Sequence, residues 1–227
     1  MAHLHIPDGV LSWVIWAPAL LLALSMLAVS SWALRDRGPQ GVAYQGALGA
    51  LVLAAMALEI PLGPFEYHLT LIGPVGVLLG PWAAFQVMFV TSAMLSFIGH
   101  GGLTVIGLNA VILGAGAAAA SVVYGALPGR SRPAAMAAGT AAGQAISGLL
   151  WLLVMSWGLA ARGWAARHPG GAERFGVIAG VALPMWVVGV VIETTVAFGI
   201  ARFLARVRPD LLPGATTHAA APLGETA

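Results

Sequence analysis

Residues 69–98 read LTLIGPVGVLLGPWAAFQVMFVTSAMLSFI, thirty positions without one charged side chain. The stretch divides at Gly80-Pro81 into two apolar arms, Leu69–Leu79 and Pro81–Ile98. As a helix the first arm rises about 17 Å, at about 1.5 Å per residue, against a bilayer core of roughly 30 Å. Three readings follow: one long helix, two spans, or a re-entrant hairpin. Two spans and a hairpin both return the chain to the side it left. A single helix inverts everything downstream. Pro81 suits the first turn of the second arm, where its missing N–H leaves no partner unserved.

The neighbouring apolar runs are Leu11–Leu34, Ala43–Ile60, Leu103–Ala126, Ala134–Ala160 and Gly176–Leu204. Each approaches or exceeds the about 20 residues that a transmembrane helix takes. Backbone polar groups in lipid must be satisfied within the segment, and the alternation of barrel strands is absent, so these are helices. Arginine sets the orientation. With a returning pair and the amino terminus outside, the inner side carries Arg35, Arg37, Arg130, Arg132, Arg202, Arg206 and Arg208. The outer side keeps Arg162, Arg167 and Arg174, so the split is seven to three, as the positive-inside rule asks. A single helix over 69–98 gives five and five. The expected fold is all-α: a polytopic membrane protein, a bundle of seven transmembrane helical segments with the N-terminus outside and the C-terminus inside. It forms one domain over 1–208, followed by a loose cytoplasmic tail over 209–227.

Composition agrees. Of 227 residues, 59% are hydrophobic and 8% charged, where a soluble domain has roughly 25% charged. Mean hydropathy is +0.92. There is no lysine, and ten arginines with eight acids cannot coat a soluble globule. A cytosolic enzyme, a disordered chain and a nucleic-acid binder are thereby excluded. The net charge is only +2, so the basic pI says little about anionic partners. Cysteine is absent, which removes disulfides, thiolate metal sites and thiol catalysis. Any metal must be held by histidine, carboxylate, backbone or a terminal amine. The first residues have neither a basic stretch nor a small-residue cleavage site before Leu11, so no signal peptide is expected. No Walker A sequence occurs; if transport consumes ATP, another chain supplies the ATPase.

Six histidines are present, and on this topology His3, His5, His68, His100 and His168 lie at or near the outer face, with only His218 inside. Any one of them alone reads as an interfacial residue among headgroups. The start of the chain, Met1-Ala2-His3-Leu4-His5-Ile6-Pro7-Asp8-Gly9, changes that weighing. A histidine second or third from a free amine forms a planar chelate of amine, deprotonated backbone amide and imidazole, the N-rich geometry of Ni(II) and Cu(II). If Met1 is retained, His3 is third and the chain supplies four nitrogens. If Met1 is removed, Ala2 provides the amine, His3 is second, and a fourth donor is needed; His68 is the natural one. Pro7-Asp8-Gly9 is turn chemistry that would hold this segment before the first helix.

Two acids lie in apolar runs. Glu59 precedes His68 by nine residues and either balances a bound cation or caps an interface. Glu193 stands beside Thr194 and Thr195 and is expected to pair with Asn109 or Gln144 in a structural network. Small residues recur at four-residue spacing (Gly139, Gly143 and Ser147; Gly176 and Gly180; Ala43 and Ala47), which allows close helix approach.

Three stretches together resemble the CbiM/NikM family of substrate-specific membrane components of energy-coupling-factor transporters for cobalt and nickel. They are His5-Ile6-Pro7-Asp8-Gly9-Val10-Leu11-Ser12, then Gly80-Pro81-Trp82-Ala83-Ala84-Phe85, then His100-Gly101-Gly102-Leu103-Thr104 with Gly107 and Asn109. The resemblance covers about the first 200 residues. It implies an amino terminus folded back into an outward-facing pocket. There the terminal amine, a backbone amide and a histidine near the terminus bind the metal, with a second histidine, here His68, before the third helix. The extra Met-Ala-His-Leu at the start leaves two histidines for the terminal role: His3 by position beside an Ala2 amine, His5 by its neighbours. His100, where the family often has Asp, is an outer-shell or entrance candidate; Glu59 and Asn109 are further outer-shell candidates.

The resemblance also implies a multi-pass protein of the plasma membrane, with no enzymatic activity, that takes Co²⁺ or Ni²⁺ as substrate, for cobalamin biosynthesis in the cobalt case. The implied partners are a transmembrane coupling subunit, ATPase subunits and, as an addition, a small accessory membrane subunit; Ala43 and Ala47 are the candidate contact with the coupling subunit. Two other classes are weighed. A self-contained secondary transporter or channel for a divalent transition metal often shows internal repeats and broken helices; the Gly80-Pro81 break is a faint hint of this, and no repeat is seen. An intramembrane metalloenzyme would need two histidines at i, i+4, and no such pair exists.

Overall fold

The computed structural model describes residues 6, 8–58, 60–62, 65–161 and 171–214. Among them are seven α-helices: α1 Trp13–Ala33, α2 Pro39–Ala57, α3 Ile72–Leu79, α4 Pro81–Phe97, α5 Ile106–Gly125, α6 Arg132–Ala161 and α7 Gly171–Val207. Five helices contain segments long and apolar enough to cross a membrane: Trp13–Ala33, Pro39–Ala57, Ile106–Gly125, Arg132–Gly158 and Leu183–Val207. Their outer faces carry large apolar side chains without cover, such as Trp13 at 70% exposure and Leu21 at 68%. In water such faces would drive aggregation; in lipid they are matched by the acyl chains. The chain is a multi-pass membrane protein.

The all-α expectation needs one amendment. Ile60–Leu62 (β1) and Phe65–Tyr67 (β2) form a short antiparallel hairpin in register Ile60–Tyr67, Pro61–Glu66 and Leu62–Phe65. Three residues a side give no readable alternation, so the sequence pattern could not announce it. The hairpin satisfies backbone groups in the connection that delivers His68.

The two arms of 69–98 are distinct helices. α3 has eight residues and rises about 12 Å, far short of a span. Seven of the eight are buried, because α3 lies against α4, α5, α6 and α7. The arms part at Gly80, whose φ of 76° and ψ of 171° lie in a region only glycine occupies at low cost. Pro81 takes the first position of α4, as read from the sequence. Polar side chains brace the break. Arg37 donates to the Leu79 carbonyl at 3.3 Å and to Gln45 Oε1 at 3.1 Å, and Gln45 Nε2 reaches Gln86 Oε1 at 2.7 Å.

α5 is the hub, packed on α1, α3, α4 and α6, while α7 lies along α6. Lipid offers little hydrophobic drive between helices, so close packing and hydrogen bonds hold them. Gly139, Gly143 and Ser147 form the α6 face toward α5, where Ser147 donates to the Ile112 carbonyl at 2.9 Å. One buried cluster joins α2, α3, α4 and α5 around Met56, Ile72, Val75, Met88 and Leu113. A second gathers Leu11, Ile15, Val105, Leu108 and Ile112 around Ile6. A third holds Leu212 against Val77, Met136, Ala197 and Ala201. Packing therefore continues past residue 208: Tyr124 donates to the Pro213 carbonyl at 3.1 Å and Arg132 to the Gly214 carbonyl at 3.1 Å.

Replacing Gly80 with Ala isolates the backbone term, since a Cβ there meets nothing within 4 Å. The expected result is a loss of about 1–3 kcal/mol of stability, read as a lower thermal midpoint in detergent.

Candidate metal centre

The site begins with Ile6. Its side chain is fully buried, and both its backbone N–H and its carbonyl are held. Ile6 N donates to Asn109 Oδ1 at 3.0 Å, and the Ile6 carbonyl accepts from Asn109 Nδ2 at 3.4 Å and from Gly102 N at 3.2 Å. Asn109 lies in the first turn of α5 and is itself buried. One amide side chain thus serves both backbone polar groups of Ile6, and this stitches Ile6 to the central helix.

Asp8 makes the second attachment. Its carboxylate accepts from Leu103 N at 2.8 Å, from Thr104 N at 2.8 Å and from the Thr104 hydroxyl. These donors stand at the approach to α5, where the helix dipole also favours an anion. The Thr104 hydroxyl, aided by the Thr104 and Leu103 amides, holds the Asp8 carboxyl below its ordinary value of 3.8. Gly102 makes the approach possible: a Cβ there would lie 2.6 Å from Asp8 N. Sequence reading took Pro7-Asp8-Gly9 as a turn and missed the reach of Asp8 to Thr104. The available signal was an exposed acid facing a Gly-Gly-Leu-Thr approach to a helix, an arrangement that accepts carboxylates.

His68 follows β2 directly and is 4% exposed. Tyr67 before it donates to the Gly189 carbonyl of α7 at 3.0 Å. Thr70 and Leu71 after it are bound by Glu193 of α7. His100 lies in the loop between α4 and α5, with its N–H on the Leu95 carbonyl at 2.8 Å. The His68 and His100 rings meet edge to face, with centroids 5.5 Å apart. Two imidazoles, from separate loops, therefore stand together two residues from Gly102, the residue that bonds Ile6.

The expected site residues are distributed as follows. The structure brings His68 and His100 together and seats Ile6 on Asn109. Ala2, His3 and His5 lie outside the described residues, as do Glu59, His168 and His218. Among the described residues no group of three or more His, Asp or Glu side chains forms a metal-holding cluster. Of the pairings expected for Glu193, Asn109 is engaged elsewhere. Gln144 joins through Thr70, whose hydroxyl accepts from Gln144 Nε2 at 2.9 Å. Ala43 and Ala47 are exposed on α2. Their neighbours Gly46 and Ala50 line a groove of about 690 Å³ between α1, α2 and α4.

The profile of the family described as "Cobalt uptake substrate-specific transmembrane region" matches residues 5–211. The chain is 34% identical over 128 residues to the "Fused nickel transport protein NikMN" of Rhodobacter capsulatus, covering 54% of this chain and 37% of that protein. It is 30% identical over 119 residues to the "Cobalt transport protein CbiM" of Sorangium cellulosum, covering 49% of this chain and 52% of that protein. It is 31% identical over 130 residues to the "Putative fused cobalt transport protein CbiMQ" of Methanocorpusculum labreanum, covering 53% and 21%. The match thus spans about half or less of the length of these relatives. Among solved structures, one titled a truncated transition metal transporter superposes with a TM-score of 0.76 at 16% identity, over 89% of this chain and 99% of the other. A second, titled a transition metal transporter, gives 0.73 at 17% identity, over 89% and 93%.

The Asp8 attachment has a defined acid limit. Its carboxyl is held below 3.8, so its contribution is complete above that value and fades as pH falls through the lowered one. Hydrogen exchange at the Leu103 and Thr104 amides should stay protected at pH 5 and above. Asp8→Ala should remove that protection at every pH.

Proposed function

The chain belongs to the CbiM family of cobalt-uptake substrate-specific transmembrane regions, and from that premise we propose that it captures Co²⁺ or Ni²⁺ at the outer face of the membrane. It does so as the substrate-binding component of an energy-coupling-factor transporter. The observation that carries this reading is the double attachment of Ile6 and Asp8 beside the His68–His100 pair. Covalent geometry keeps His5 within about 3.8 Å of Ile6, Cα to Cα, and His3 within about 11 Å. On this reading the free amine and an amino-terminal histidine are the groups that meet the two imidazoles.

In this reading the metal takes the Ala2 amine, a backbone amide and the His3 imidazole as a planar set, closed by His68. His5, one residue from Ile6, is the other candidate for the terminal imidazole. His100, edge-on to His68, orients it or receives the incoming ion. Planar nitrogen ligation favours Ni²⁺, while the family description and two of the relatives name cobalt. The arginine asymmetry supports an outward-facing amino terminus and an inward-facing carboxyl terminus.

ATP-driven release requires a coupling subunit and ATPases on other chains. That two relatives are named as fused proteins supports an assembly of several modules. The exposed small-residue face of α2 at Ala43 and Ala47 is the proposed contact for the coupling subunit.

Purified protein should bind one metal ion. His68→Ala should abolish binding, and blocking the amine with an amino-terminal tag should do the same. Protons compete for imidazole and amine, so affinity should fall on acidification. Unchanged binding in a tagged His68→Ala protein would remove this site. Uptake that persists without any ATPase partner would favour a secondary transporter.

A further inference from the structure

Glu193 is an acid in the middle of α7, and it is fully buried. A buried carboxylate is costly, and a leucine would fill the same space more cheaply. What it contacts is specific. Oε1 accepts from Thr70 N and from the Thr70 hydroxyl, the latter at 2.7 Å, and Oε2 accepts from Leu71 N at 3.2 Å. Gln144 of α6 donates to the same Thr70 hydroxyl. One turn earlier on α7, the Gly189 carbonyl takes the Tyr67 hydroxyl. The segment Tyr67–Leu71 is therefore gripped by α7 at both ends, and His68 is the residue between the grips. Leu71 has φ of 53°, the only non-glycine residue with positive φ among the described residues. Such a backbone persists only where its surroundings impose it.

We propose that Glu193 is a positioning residue for the metal ligand His68: by binding the Thr70 and Leu71 amides it fixes where the His68 imidazole stands relative to the amino terminus. This rests on the reading of His68 as a ligand. It is not a second cation site, because three hydrogen-bond donors already point at the carboxylate and would oppose a metal ion there. The effect passes through backbone. The carboxylate sets the bend at Leu71, the bend sets the exit of residues 68–70, and that exit sets the ring. Groups one step removed from a metal typically change its affinity by about 10–100-fold when lost.

The test uses the full chain in detergent, titrated with NiCl₂ and CoCl₂, with the visible absorption of bound Ni²⁺ recorded. Glu193→Gln keeps the volume but loses the charge and an acceptor. It should weaken binding by about tenfold, and Glu193→Ala by about a hundredfold. In both, the ligand-field band of bound Ni²⁺ should move away from that of the wild type. Tyr124→Phe, which removes the hydrogen bond to the Pro213 carbonyl at the end of α5 opposite the His100 loop, should lower the thermal midpoint and leave band and affinity unchanged. Should Glu193→Ala not purify as a monodisperse protein, Glu193→Gln alone decides. Wild-type affinity and band in Glu193→Gln, with binding lost in His68→Ala, would overturn the positioning role and leave the site standing. Wild-type binding in His68→Ala would overturn both.

Discussion

The pairing of one buried side-chain amide with the two backbone polar groups of Ile6 holds the segment before α1 to the bundle. Asn109 offers an acceptor and a donor to the two polar groups of Ile6. Inside a bundle of this composition few other partners exist for a backbone that enters from the edge. A buried peptide left unmatched would cost more than its hydrogen bonds return, so the seat is either fully made or not made at all. With it made, Ile6 fills the cluster around Leu11, Leu108 and Ile112.

The economy of polar groups extends through the bundle. Several buried polar residues form local sets: Asn109 under Ile6; Thr70, Gln144 and Glu193 behind His68; Ser147 between α5 and α6. The first two sets place a loop, and the third ties two helices, where apolar packing alone would leave freedom. The Arg37–Gln45–Gln86 brace does the same at Gly80, toward the arginine-rich side. In a lipid-facing protein the specificity of the fold thus lies in these sets, and the surrounding apolar surface supplies solubility in the bilayer.

Helix boundaries were largely legible because hydropathy and length report directly on the bilayer. The expected runs Leu11–Leu34, Leu103–Ala126 and Ala134–Ala160 lie within a few residues of α1, α5 and α6. The break at Gly80-Pro81 was legible too, since only glycine tolerates that backbone and proline suits the position after it. Two features were not. The hairpin over 60–67 is too short to impose a period. The grip of Glu193 on Thr70 joins residues more than a hundred positions apart, and nothing in either local stretch encodes the other. His68 is legible by type and place, and His100 as a candidate by its place in a motif, but the edge-to-face meeting of their rings is not, because only the tertiary fold brings the two loops together. Asp8 was recognised as a turn former, whereas its stronger role is a contact with Thr104 across the sequence.

The central claim is that the chain's own beginning supplies part of the ligand set and His68 closes it. Anomalous scattering at the nickel edge from crystals of the Ni²⁺-loaded protein tests it most directly. The account predicts one strong peak, within about 2 Å of both a His68 ring nitrogen and the amino-terminal nitrogen. A peak bonded to His68 without the terminal nitrogen, or located among other groups such as Glu193, would contradict it.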